Sequence, residues 1–179
     1  MLLFIVACAT ASSVASAVDA PPPVVTAARR YLGRPYQFGA RGRELDCMGL
    51  VFLAWADAND ADWRKLSVNP SEIVAKRQLG APVPGLDGVP TPRIDWKLLR
   101  PGDVIFLLGP PPNPAEPSLV TIDGVPEWVW HMGLYSGGDD HRFVVGDHFH
   151  GEVVEVALPA YLHSYAAWYD AIFVTRPGG

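Results

Sequence analysis

The sequence predicts an α+β domain in which an antiparallel sheet packs against a buried N-terminal helix. Two observations carry that reading. Helical patterns fill the first part of the chain, and from residue 103 onward they give way to short apolar runs bounded by turn residues. One helical stretch, Asp46 to about Ala58, is apolar on nearly every face, so it belongs in a core. At 179 residues, 49% of them hydrophobic, one domain with a substantial core is expected.

The first seventeen residues read as an export signal. An apolar run is followed by small residues and by Ala15-Ser16-Ala17, a small-x-small cleavage pattern, although no Lys or Arg precedes it. Residues 18–23 then form a Pro-rich linker, and residues 24–179 the domain. "IVAC", ending at Cys8, also resembles a bacterial lipoprotein box, which makes a lipid anchor the lesser expectation. The mature protein is expected to be periplasmic or extracellular, with no stable membrane span.

The elements follow in order. Val24 to Gly33 has a helical apolar stripe with Gly33 as its stop. "RPYQFGARGRE" is a turn-rich loop before the buried helix. "NPSEIVAKRQLG" carries Asn69 as N-cap, Pro70 at the first helical position, Glu72 at the third and Gly80 as stop. Residues 81–100 are rich in Pro and Gly and read as irregular. Strands are predicted at 103–108, 129–135, 142–147, 152–157 and 171–175. Residues 109–128 form a long insertion between two strands, placed to act as a flap.

Charge and cysteine content narrow the function. The net charge is -5 and no basic block exceeds Arg29-Arg30, so a nucleic-acid partner is not expected. Of the two cysteines, Cys8 lies in the leader, which leaves Cys47 alone in an oxidising compartment. Such a thiol is either inert and buried or reactive. Cys47 falls at the first turn of the buried helix, where free N–H groups and the positive end of the dipole should lower its pKa. The same N–H groups can face an oxyanion.

A nucleophilic cysteine needs a base. His131 interrupts the apolar run "WVWHMGLY"; His141 and His163 read as surface histidines. The next strand, "RFVVGDHFH", offers orienting partners. Alternation puts Asp147 on one face with Phe143 and Val145, and His148 on the other with Val144. Which face meets His131 is left open by the pattern.

Three blocks, "YLGRPYQFGARGRELDCMGLVFLAW", "LRPGDVIFL" and "HMGLYSGGDDHRFVV", resemble in order the blocks of the NlpC/P60 cysteine peptidases. The resemblance covers about residues 27–157 and implies a papain-like α+β fold. It implies Cys47 as nucleophile and His131 as base. It further implies Tyr36 lining the site and Asp46 holding the free amine of a substrate. The implied reaction is cleavage of amide bonds in peptidoglycan stem peptides, often the γ-D-glutamyl link to a diamino acid. No metal or organic cofactor is implied, and a monomer is expected.

The chain departs from that pattern. Met48 stands where the family has Ser, beside the substrate site, and Ala40 replaces a Gly. Strict spacing would put the third catalytic residue at Val145, which cannot serve, so Asp147 is the first choice and His148 the alternative. Other readings are a papain-like amidase or acyltransferase on another amide or lipid, and a degenerate wall-binding module. A metal-binding β protein using His148, His150 and Glu155 is the remaining one, on a partial match to cupin spacing.

Overall fold

A computed structural model describes residues 20–178. The expected signal peptide and Cys8 lie outside the described residues. Among the described residues, no helix is long and apolar enough to cross a membrane.

Among the described residues, four α-helices and seven strands make one α+β unit. Helices α1 (Pro23–Arg29), α2 (Cys47–Asn59) and α3 (Pro70–Ala75) precede the strands β1 (Ala81–Pro90), β2 (Val104–Gly109), β3 (Val120–Ile122), β4 (Val125–Gly137), β5 (Arg142–Asp147) and β6 (Glu152–Ala157). Helix α4 (Leu158–Ser164) and strand β7 (Ala171–Arg176) complete the chain. The sheet order is β1-β7-β2-β4-β5-β6, antiparallel at every pair, with β3 added on β4.

Both faces of the sheet are covered, which explains the unbroken apolar run of β2. Its six residues are all buried. Val104, Phe106 and Leu108 point to the layer of α1 and α2, while Ile105 and Leu107 point to a second core with Tyr161 and Leu162 of α4. Helix α2 buries Leu50, Val51, Phe52 and Ala54 completely, as its apolar faces require. The expected strands agree with β2, β4, β5, β6 and β7 to within a few residues.

Four expectations need correction. Residues 81–90 are a strand, not irregular chain. The three prolines and two glycines of β1 are tolerated because it is an edge strand, paired on one side only and broken by register shifts. The 109–128 segment is not a free flap. It contains β3, which turns at Asp123-Gly124 (φ 50° and 87°) to pair with β4, and Trp128 and Trp130 donate their indole N–H to the carbonyls of Glu116 and Pro111. Helix α3 stops at Ala75, before Gly80, because Arg77 already takes a left-handed conformation (φ 53°). Helix α1 begins at Pro23, inside the expected linker, because proline's fixed φ suits the first helical turn.

Candidate active site

The strand pair β4–β5 opens at one end of the sheet. Its register runs from Gly137–Arg142 to Gly133–Val145 and then stops, although both strands continue. The N-terminus of α2 sits against this opening. A Cβ on Gly146 would lie 2.9 Å from the Asp46 carbonyl oxygen, so only glycine lets the helix end come this close.

Asp46 caps α2. Its Oδ1 accepts from the Gly49 amide at 2.5 Å, and its Oδ2 accepts from the Gly39 amide at 2.9 Å. Its side chain is buried and both oxygens hold backbone, so in this structure it anchors the helix start rather than offering a free carboxylate to an amine.

Cys47 is partly buried and is the free cysteine of the described residues. The backbone amides of Met132, Met48 and Cys47 itself act to favour a thiolate. Burial outweighs them: together with the nearby charge of Asp46 it pushes the thiol up to about 12. The expected lowering at the helix end is thus overturned, because desolvation costs the anion more than the amides return.

His131 directly precedes Met132 in β4. Its ring is buried and lies nearly parallel to Tyr169 (5.9 Å between centroids) and Tyr161 (6.4 Å). Burial pushes its pKa down to about 4, with His148 adding to the effect and Asp147 opposing it. Cys47 and His131 are therefore both neutral at pH 7.

Asp147 lies on the face that meets His131. Its Oδ1 is 4.0 Å from His131 Nε2, a nitrogen that has no hydrogen-bond partner among the described residues. The same Oδ1 accepts from the Tyr161 hydroxyl at 2.6 Å, while Oδ2 accepts from the His150 amide and pairs with His150 Nδ1. Burial alone would raise this carboxyl; the bonds from Tyr161 and His150 bring it below its ordinary value.

The alternative third residue goes elsewhere. His148 is exposed, packs edge-on against Tyr36 at 5.8 Å and makes no side-chain hydrogen bond among the described residues. Tyr36 stays protonated, its pKa raised by burial and by the neighbouring Cys47, Asp46 and Asp147, of which Cys47 is charged only at high pH. His148 and His150 have different neighbours, and Glu155 is held by Arg29 at 2.6 Å, so the three do not converge on a metal. His141 is not simply solvated: Tyr135 Oη lies 2.8 Å from its Nδ1 and Trp96 packs on its ring.

Sequence reasoning missed Tyr161 and Tyr169, and offered His150 only as a metal ligand, whereas it bonds Asp147. The tyrosines at 161, 165 and 169 recur at helical spacing, a signal that was available; the fold back to Asp147 was not.

No family model and no curated protein sequence matches this chain. Solved structures do. An N-acetylmuramoyl-L-alanine amidase from Bacteroides uniformis aligns over 88% of this chain and 98% of its own, with a TM-score of 0.66 and 14% identity. The NlpC/p60 domain of the peptidoglycan hydrolase SagA aligns over 86% and 95%, with a TM-score of 0.50 and 15% identity. NlpC1 from Trichomonas vaginalis aligns over 89% of this chain and 45% of its own, with a TM-score of 0.51 and 20% identity. The chain therefore has the papain-like α+β fold of NlpC/P60 domains.

Proposed function

We propose that this chain is an exported cysteine hydrolase that cuts amide bonds in peptidoglycan stem peptides, at the γ-D-glutamyl link to a diamino acid. The observation that carries the reading is geometric: at one opening in the sheet the start of α2, which bears Cys47, is seated against Gly146 of β5, and His131 of β4 faces buried Asp147 of the same strand β5. The fold shared with the peptidoglycan hydrolase SagA supports the substrate class.

In this mechanism the resting pair is neutral. His131 takes the thiol proton as sulfur attacks the amide carbonyl, so the costly free thiolate never accumulates. The backbone amides around the sulfur and the Tyr36 hydroxyl donate to the oxyanion. Imidazolium forms opposite Asp147, whose carboxylate steadies it. His131 then protonates the leaving amine, and water releases the acyl group from sulfur with His131 again as base.

The test compares wild type with Cys47→Ala on purified peptidoglycan and on γ-D-glutamyl peptides. Wild type should release fragments that the variant does not. Identical products, or none from either, would remove the hydrolase reading. The amidase with the same fold favours a second bond, the amide between the muramoyl group and L-alanine. Mass analysis separates the two, because only that cut frees an intact stem peptide.

A further inference from the structure

Arg41 is a cation that the hydrolase reading does not use. It stands in the loop that wraps the start of α2, where its backbone bridges to Leu45. Its guanidinium lies over the rings of Phe52 (5.6 Å) and Trp63 (5.9 Å). Nη2 donates to Met48 Sδ at 3.1 Å, and Nε is buried without an acceptor. Arg29, Arg64, Arg93, Arg142 and Arg176 each reach a carboxylate; Arg41 reaches none among the described residues, and neither do Arg30, Arg34, Arg43, Arg77 and Arg100, but of these only Arg41 buries a guanidinium nitrogen without an acceptor.

That arrangement is costly unless something completes it. A guanidinium offers five donors in a fixed plane matched to a carboxylate, and a thioether is a weak acceptor. A half-buried cation without a counter-ion loses hydration and gains little in return. The two aromatic faces fix its plane in advance, so a ligand would meet an oriented donor. Met48 directly follows Cys47, so a ligand held at the sulfur need run only two or three extended residues, about 3.3–3.6 Å each, to arrive there.

We propose that Arg41 binds a carboxylate of the substrate on the Met48 side of Cys47, with the thioether yielding its place when the acid arrives. This rests on the hydrolase reading and deepens it: the site selects peptides with a free acid near the cut bond. The Met at the position after the cysteine then has a reason, since a serine could not span to the guanidinium as the thioether does. Two carboxylates are available in the substrate class, the glutamyl α-carboxylate and one on the diamino acid.

The probe is γ-D-glutamyl-diaminopimelate with the carboxyl that would continue the stem capped as an amide, with two derivatives further amidated at one or the other of the two remaining carboxyls. Binding to the full chain carrying Cys47→Ala is measured by calorimetry. The free acid should bind about tenfold or more tighter than one of the amides, which identifies the recognised carboxyl. Adding Arg41→Gln should remove that preference and leave the weak binding of that amide unchanged, while Arg41→Lys should retain part of it. No preference for the acid, or a preference that survives Arg41→Gln, overturns the inference. Turnover by wild type separates the two claims: a binding preference without cleavage sinks the hydrolase reading alone, and equal cleavage of all three peptides sinks the Arg41 inference alone.

Discussion

Asp147 Oδ1 and His131 Nε2 lie 4.0 Å apart, in side chains that are 0% and 5% exposed. The gap exceeds a hydrogen bond, and the Tyr161 hydroxyl already occupies that oxygen at 2.6 Å. A neutral imidazole gains little from closing the gap; an imidazolium gains much. The pair is thus arranged to tighten when His131 takes a proton. Asp147→Asn keeps the shape and removes the charge. It should lower kcat on γ-D-glutamyl peptides by about 10²-fold, with KM little changed, the range of a proton-transfer contribution. Steady-state kinetics beside a thermal melt would check this, since an equal loss from unfolding would appear as a lowered Tm.

Much of this pair was legible in the sequence, and the limits are physical. His131 stands out because a polar residue breaks an apolar strand; alternation gives Asp147 a face but leaves open which face meets His131, and the family spacing falls two residues short, on Val145. What alternation could not supply was the partner across the sheet. Tyr161 reaches Asp147 through α4, fourteen positions away in sequence, and no local pattern encodes that contact. Strand β1 was hidden for the opposite reason: its prolines and glycines are breakers locally and acceptable only at a sheet edge, a property of the whole topology. The thiol's acidity was misjudged because a helix end can be read from sequence, whereas the burial that overrides it cannot.

The thiol gives the second prediction. With Cys47 pushed up to about 12 by burial, alkylation by iodoacetamide should still be rising with pH at pH 9. A plateau near neutrality would mean a stable thiolate and would contradict the neutral resting pair. Mass spectrometry of the modified peptide makes the assignment to Cys47.

Among the groups with shifted pKa values, His131 and Glu127 pull stability in opposite directions between pH 4 and 7. His131 titrates near 4 when folded and near its ordinary 6.5 when unfolded, so the stability it contributes is complete above about 6.5 and is lost as pH falls toward 4. Glu127 runs the other way. Burial and the neighbouring Asp170 raise it to about 7, so the folded chain keeps a proton that the unfolded chain releases above about 4.5. Its contribution therefore falls as pH rises from about 4.5 to 7. Asp147, below its ordinary value, matters only under pH 4. The two slopes offset each other in wild type, each bounded by roughly 1.4 kcal/mol per pH unit. Glu127→Gln should unmask the histidine: its urea midpoint should drop clearly between pH 6.5 and 4.5, where wild type changes less. Parallel curves for the two proteins would refute the assignment.

Gly146 offers a test of how the helix end is seated. A methyl group there would lie 2.9 Å from the Asp46 carbonyl oxygen, a backbone atom that cannot swing aside. Gly146→Ala must therefore move either β5 or the first turn of α2, and that turn carries Cys47. Overpacking of this kind costs about 1–3 kcal/mol, which leaves a folded protein with a lowered Tm. The displacement of the sulfur is the larger consequence, because a misplacement of about 1 Å can cost roughly 10²-fold in rate. The variant should keep its fold by circular dichroism, lose hydrolysis, and show altered Cys47 alkylation at fixed pH. Full activity with a lowered Tm would mean that β5 yields instead and that the helix end is held by Asp46 alone.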